Sequence, residues 1–115
     1  GSGKKWYQTK QAKLTLEKSK NDLKNLESAL QLESKNANIN FNNSVSSLNN
    51  QRKNMDLAAE ILRVSKVKYD QGVGSSLEVV TAQTSLKEAE TNYINALFNA
   101  LVAKIELEKS NGNIQ

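Results

Sequence analysis

Between residues 79 and 107 of this 115-residue chain, apolar side chains recur at alternating steps of three and four residues. This is the spacing of a helix that packs against another helix along one seam. Alanine at several of these positions would let the partner helix approach closely. The seam residues are Val79, Ala82, Leu86, Ala89, Tyr93, Ala96, Ala100, Ala103 and Leu107. A second apolar stripe beside the seam, which predicts contact with more than one neighbour, consists of Ile94, Leu97, Leu101 and Ile105.

The segment before residue 71 carries a longer apolar repeat. One set recurs every seven residues at Leu16, Leu23, Leu30 and Ala37, and a later set continues at Phe41, Leu48, Met55, Leu62 and Tyr69. The four-residue step from 37 to 41 predicts a stutter, which would locally unwind a left-handed supercoil. A second stripe appears here too, at Leu57, Ile61 and Val64.

The first segment can form one helix over residues 4–71, because the chain has no proline and no glycine lies between residues 4 and 70. Asparagine, a mediocre helix former, is frequent in residues 36–50 and could permit a break there. Such a break would fold residues 4–35 back into a three-helix bundle. The apolar pattern continues through Phe41, Val45 and Leu48, which favours an uninterrupted helix.

The stretch 72–75 predicts a turn between two helices. Gly72 stands where a helix ends in the left-handed conformation, so we expect a positive φ there. Ser75 and Glu78 match a capping box, in which the Ser75 hydroxyl accepts from the Glu78 amide and the Glu78 carboxylate accepts from the Ser75 amide. The sequence therefore predicts an all-α fold, a long antiparallel helical hairpin or coiled coil. Its expected parts are a cloning scar at 1–3, helices at 4–71 and 76–110, the turn at 72–75 and a tail at 111–115.

The composition excludes several kinds of site. The chain has no histidine and no cysteine, which removes disulfides and the usual zinc ligands, and its carboxylates are scattered along exposed helix faces. We therefore expect no catalytic residue, no metal, no cofactor and no enzymatic activity. The net charge is +4, but acidic residues are interleaved with the lysines, which favours a solvated helix face over nucleic-acid binding. No apolar run approaches the ~20 residues of a membrane-spanning helix.

The turn and the residues after it carry a family resemblance. The pattern Tyr69-x-x-Gly72-x-x-Ser75-x-Leu77-Glu78-Val79-Val80-x-Ala82-Gln83, followed by Leu86, Ala89, Tyr93 and Ala96, resembles the repeat signature of the TolC-type outer membrane efflux proteins. The resemblance covers most of the chain, from about residue 11 to residue 112, and is most specific over 68–97. Lys68, Glu78 and Val80 depart from the arginine, aspartate and leucine common in the family, without disturbing the turn or the seam.

This resemblance implies a place in a larger assembly. Members of the family are trimers in which an outer-membrane β-barrel continues into a periplasmic α-barrel of helical hairpins. The hairpin turns form the periplasmic mouth, which meets a periplasmic adaptor protein that leads to an inner-membrane pump. This chain would be a periplasmic piece of such an α-barrel in a Gram-negative bacterium. The tip expected to contact the adaptor is Gln71, Gly72, Val73, Gly74, Ser75 and Ser76, and residues expected to form gating contacts nearby are Arg63, Lys66, Lys68 and Asp70.

Two other interpretations remain open at this point. The chain could be the coiled-coil hairpin of an adaptor protein, or a purely structural coiled coil, although the latter would not need the second apolar stripes. The unequal helix lengths also predict that this chain associates with itself as a dimer or higher oligomer. The second helix is too short to reach one group of leucines on the first helix, namely Leu16, Leu23, Leu26 and Leu30.

Overall fold

The computed structural model describes residues 1–114, with side chains described through residue 112. It contains two helices, α1 (Ser2–Asp70) and α2 (Ser76–Ile114), and no strand among the described residues. The helices run antiparallel and form a hairpin that measures 105 × 22 × 13 Å. The predicted fold, a long antiparallel helical hairpin, is confirmed.

Helix α1 is continuous through its asparagine-rich middle. The alternative with a bend at residues 36–50 is therefore wrong for this chain. Phe41, Val45 and Leu48 are half-buried along this stretch, so packing against α2 offsets the weak helix preference of asparagine. Helix α1 begins at Ser2, two residues before the expected start.

The seam of α2 follows the predicted spacing. Each of its nine predicted residues is buried or half-buried. The five seam alanines are the most enclosed apolar residues of α2: Ala82, Ala89, Ala96, Ala100 and Ala103. Alanine removes little apolar area from water, so the hydrophobic stabilisation of this seam is modest for its length.

The seam of α1 does not contain the predicted stutter. Ala58 and Ser65 are buried, and Ser44 and Gln51 are half-buried, each seven residues from the next. These residues continue the seven-residue repeat that begins at Leu16, and this repeat is one of the two seam positions of the helix. Phe41 belongs to the other seam position, so the step from 37 to 41 is the ordinary four-residue step between the two. The prediction of a stutter is wrong because small and polar residues occupy the first seam position beyond Ala37.

The two seams are complementary in size. The antiparallel register is defined by two contacts, Ser34 with Asn111 and Lys68 with Glu78. In this register the seam residues of the two helices lie opposite one another. In that register, bulky side chains of α1 oppose alanines of α2, as Leu48 opposes Ala96. Some small residues of α1 fall opposite bulky residues of α2, whereas Ser34 falls opposite Ser110 and Ser44 opposite Ala100. The resulting pairs include Phe41 with Ala103, Met55 with Ala89, Leu62 with Ala82, and Ala58 with Leu86.

The end of α2 also differs from the prediction. The helix runs to Ile114, so most of the expected tail at 111–115 is helical. Ser110 is buried against α1, and the hydroxyl of Ser34 donates to the side-chain oxygen of Asn111 at 3.0 Å, which holds this last turn to α1. Because α2 is longer than expected, it reaches Leu30, which is half-buried.

The α1 segment before Leu30 extends beyond α2. Leu16, Leu23 and Leu26 are exposed there, as predicted, with more than half of each residue's surface accessible. An isolated helix gains little stability from its own hydrogen bonds, and exposed leucines are usual where another helix packs. This overhang therefore has a seam face without a partner within the described chain.

Candidate functional site

The turn at residues 71–75 is defined by backbone hydrogen bonds and by the conformation of one glycine. Gly72 has a φ of +76°, which confirms the predicted left-handed conformation. Its amide donates to the carbonyl of Tyr69 at 3.0 Å, and the amide of Val73 donates to the carbonyl of Lys68 at 3.0 Å. These two bonds define a Schellman motif, which satisfies carbonyls left free at the end of α1.

The start of α2 is capped by Ser75. Its hydroxyl accepts a hydrogen bond from the amide of Glu78 at 3.2 Å, as predicted. The reciprocal bond of the capping box is not formed among the described residues. The Glu78 carboxylate turns instead to α1, where it lies 3.4 Å from the Lys68 ammonium. An ion pair across the turn thus replaces half of the predicted capping box.

Gly74 is required for a reason that the sequence did not reveal. A Cβ added there would lie 3.0 Å from the Lys68 Cβ, 3.1 Å from the Tyr69 amide nitrogen and 3.2 Å from the Lys68 carbonyl carbon. Two of these three atoms belong to the backbone of α1 and not to the far end of a flexible side chain. The amide of Gly74 also donates to the Lys68 carbonyl at 3.0 Å. A side chain at position 74 would therefore require α1 or the turn to shift by a few tenths of an ångström.

The turn presents a small apolar surface at its tip. Val73 and Leu77 are 73% and 72% exposed, whereas Gly74 is half-buried behind them. The six predicted tip residues, 71–76, lie together in this turn. Their contact with an adaptor remains a prediction.

The four residues predicted to gate the mouth lie in the last two turns of α1. The Arg63 guanidinium donates to both carboxylate oxygens of Glu60, at 3.0 and 2.6 Å. This hydrogen bond lowers the pKa of Glu60 and raises that of Arg63. Both side chains are solvent-exposed, so the pair adds little to stability. Lys68 is held by Glu78, whereas Lys66 and Asp70 are exposed and form no ion pair with the described side chains.

An open groove runs between the helices beside the turn. It is lined by Ile61, Ser65, Leu77, Glu78, Thr81, Ala82 and Ser85. Its surface is mostly apolar and has a carboxylate at its edge. The groove continues the apolar surface of the tip onto one side of the hairpin.

Among the described residues, no group of three or more acidic, histidine or cysteine side chains is arranged to hold a metal ion. No helix in the described part of the chain is both long and apolar enough to cross a membrane.

The described chain is a long two-helix rod with an exposed turn and exposed apolar side stripes. Comparison with protein families identifies the family of this chain. The family model described as outer membrane efflux protein matches residues 2–113, and the chain belongs to this family. The family is one of transport proteins and not a class of enzymes. Searches of curated proteins and of solved structures found no match.

Proposed function

We propose that this hairpin is part of the periplasmic α-helical wall of a trimeric outer-membrane efflux channel, and that its turn docks a periplasmic adaptor protein. The adaptor would connect the channel to an inner-membrane pump. The observation that carries this proposal is the exposed, glycine-built turn at the end of a 105 Å hairpin whose chain belongs to the efflux family.

The role in a wall is supported by the apolar side stripes. The stripes of both helices remain exposed in the hairpin: Leu57, Ile61 and Val64 on α1, and Ile94, Leu97, Leu101 and Ile105 on α2. An isolated hairpin needs one apolar seam per helix, whereas a helix in a closed wall needs a second contact with its next neighbour. The seams of α1 and α2 cover each other, so the side stripes are free to contact other helices of the wall.

The role in docking is supported by the construction of the tip. Local hydrogen bonds satisfy carbonyls of Val67, Lys68 and Tyr69 at the end of α1 and the Glu78 amide at the start of α2, which favours one conformation of the tip without a partner. Val73 and Leu77 then offer apolar area at fixed positions, and a pre-formed surface loses little conformational entropy on binding. We further propose that four residues in the last two turns of α1 form contacts that hold the mouth closed, namely Arg63, Lys66, Lys68 and Asp70.

Substitution of Val73 in the full-length channel tests the docking proposal. Val73→Asp places a charge in the tip while leaving the hydrogen bonds of the turn intact, so efflux should be lost while trimers still form. Val73→Thr is the matched control, because threonine keeps the branched shape without a full charge, and efflux should persist. Normal drug resistance with Val73→Asp at normal channel levels would exclude the docking role. Gly74 is unsuitable for this test, since any side chain there also disturbs the turn.

The adaptor-hairpin interpretation is the second candidate. The family match to efflux proteins over residues 2–113 favours the channel side of the contact. The purely structural interpretation has no explanation for the exposed side stripes.

A further inference from the structure

The first turns of α1 carry an exposed face that combines aromatic and basic residues. Its members are neighbours or are related by steps of three, four or seven residues, so they share one side of the helix. They are Trp6, Tyr7, Lys10, Lys13 and Leu14. We call this set the aromatic–basic face. Trp6, Tyr7 and Leu14 are 65%, 59% and 50% exposed, so no part of the described chain covers the face.

The aromatic–basic face is separate from the leucines of the overhang. Leu16, Leu23 and Leu26 point on average about 150° away from it around α1, at 100° per residue. A single helix that packs on these leucines therefore leaves Trp6 and Tyr7 exposed. The contact that buries the leucines does not explain the aromatic residues.

The charge of this part of α1 has one sign. Residues 1–16 contain four lysines and no acidic residue, whereas from Glu17 onward acidic residues are interleaved with the lysines. The Lys10 ammonium lies 5.0 Å from the centroid of the Trp6 ring, which places a positive charge beside the aromatic surface. A face that only meets bulk water is normally a mixture of both signs of charge. The composition of residues 1–16 instead favours an anionic partner.

The residue types of the face match the headgroup layer of a phospholipid membrane. The rings of Trp6 and Tyr7 each have an apolar body and a polar N–H or O–H group, which suits the boundary between lipid tails and water. Lysine ammonium groups attract lipid phosphates while their alkyl stems lie along apolar surface. A protein partner fits less well, because protein–protein interfaces are depleted in lysine and enriched in arginine, and residues 1–16 contain no arginine.

We propose that the aromatic–basic face contacts the anionic headgroups of a phospholipid membrane. This rests on the proposed function, in which the turn forms the periplasmic mouth and the opposite end of the hairpin points toward the outer membrane. Trp6 lies 66 residues before Gly72, so about 100 Å of helix separates it from the turn. The face then holds the wall to the membrane surface at the end away from the tip.

Vesicle binding by the 115-residue chain tests this assignment. Trp6 is the only tryptophan, so tryptophan fluorescence reports on this face alone. Phosphatidylcholine vesicles that contain about one third phosphatidylglycerol should shift the Trp6 emission to shorter wavelength and protect it from acrylamide. Vesicles of phosphatidylcholine alone should have a much smaller effect. Raising the salt concentration from about 0.1 M to about 0.5 M should reverse most of the shift, because salt screens the lysines.

Two pairs of lysine substitutions separate this face from a general attraction by charge. Lys10→Gln with Lys13→Gln should weaken cosedimentation with the anionic vesicles roughly tenfold or more, since each lysine near an anionic surface contributes several-fold. Lys35→Gln with Lys53→Gln is the matched control. It removes the same charge from exposed positions of α1 that lie more than about 30 Å further along the helix. Its binding should stay near the wild-type value.

A pair of aromatic substitutions tests the other half of the face. Trp6 and Phe98 are both 65% exposed, and Phe98 lies on α2. Trp6→Ser should weaken cosedimentation several-fold, whereas Phe98→Ser should leave it near the wild-type value. All the substituted side chains are exposed, so the hairpin itself should be unaffected, which far-ultraviolet circular dichroism verifies.

Three results would overturn the proposal. One is an equal loss of binding in both lysine pairs, which would show that net charge alone attracts the chain. Another is equal binding to anionic and neutral vesicles. The third is a shift of Trp6 emission that grows with protein concentration without vesicles, because the face would then pack against a second copy of the chain. The assay does not involve the tip, so its failure is distinguishable from a failure of the proposed docking function.

Discussion

The two glycines of the turn make a paired prediction, because the structure requires each of them for a different physical reason. Gly72 has a φ of +76° and open space around the position that a Cβ would take. Gly74 does not have a positive φ, but a Cβ there would meet the backbone of α1. The first position thus restricts backbone conformation and the second restricts volume.

Substitutions should separate these two requirements. Gly72→Val should reduce the free energy of unfolding by about 1–2 kcal/mol, since a β-branched residue resists the left-handed conformation. Gly72→Asn should cost clearly less, because asparagine adopts this conformation more readily. At position 74 the order should differ: Gly74→Ala should already cost about 1–3 kcal/mol through crowding, and Gly74→Asn should give no relief. The contacts of 3.0–3.2 Å around the added Cβ are the basis for this magnitude.

Urea unfolding of the 115-residue chain, followed by far-ultraviolet circular dichroism at low micromolar concentration, measures these differences. The slope of the transition should stay constant, so that a shift in midpoint reports stability. Wild-type stability for Gly74→Ala would show that α1 can move away from the turn. A loss for Gly72→Asn as large as that for Gly72→Val would show that conformation is not the constraint at 72.

Three further predictions concern the cap, the seam and the overhang. Ser75→Ala should cost about 1 kcal/mol in the same unfolding assay, because it removes the acceptor for the Glu78 amide. Leu48→Ala and Ala96→Leu should each destabilise by about 1–3 kcal/mol, and the double variant should recover most of the loss; simple additivity would mean that the two residues are not opposed. The exposed leucines of the overhang should drive self-association, so sedimentation equilibrium at high micromolar concentration should exceed 12.7 kDa, and a strict monomer would contradict this.

The turn was largely predictable from sequence because its requirements are local. A left-handed residue favours glycine, and a serine three residues before a glutamate is a strong helix-start signal. The structure confirms both at Gly72 and Ser75. The partner of the Glu78 carboxylate was predicted wrongly, as the Ser75 amide instead of the Lys68 ammonium. Its partner depends on how closely α1 approaches, which a local pattern does not contain.

The requirement for Gly74 was missed for the same reason. Nothing in the sequence distinguishes a glycine that needs a special φ from one that makes room for another backbone. The distance between residue 74 and the backbone of Lys68 and Tyr69 appears only once the two helices are placed. The end of α2 was missed in a similar way, since the burial of Ser110 and the hydrogen bond between Ser34 and Asn111 depend on how the two helices are placed.

The seam of α2 was predictable and that of α1 was only half predictable. Every predicted position of α2 carries an apolar residue, so periodicity alone identifies it. On α1 one of the two seam positions contains Ser44, Gln51 and Ser65, which an apolar pattern ignores. A buried serine is tolerated in a helix because its hydroxyl can bond to its own helix, as Ser65 does with the carbonyl of Ile61 at 2.8 Å.

The polar residues in the seam indicate that the two helices are not held together equally firmly along the length of the hairpin. Near the turn, the seam pairs Leu62 with Ala82, and the hydrogen bonds of the turn hold both helices in register. At the open end, the register brings together Ser34 and Ser110. The hydroxyl of Ser110 is buried and has no hydrogen-bond partner in the described chain. An unsatisfied buried hydroxyl costs free energy, so the helices are held less firmly here than at the turn. The tip proposed to dock the adaptor therefore lies at the more firmly held end of the hairpin, and the far end would depend on the other helices of the proposed wall.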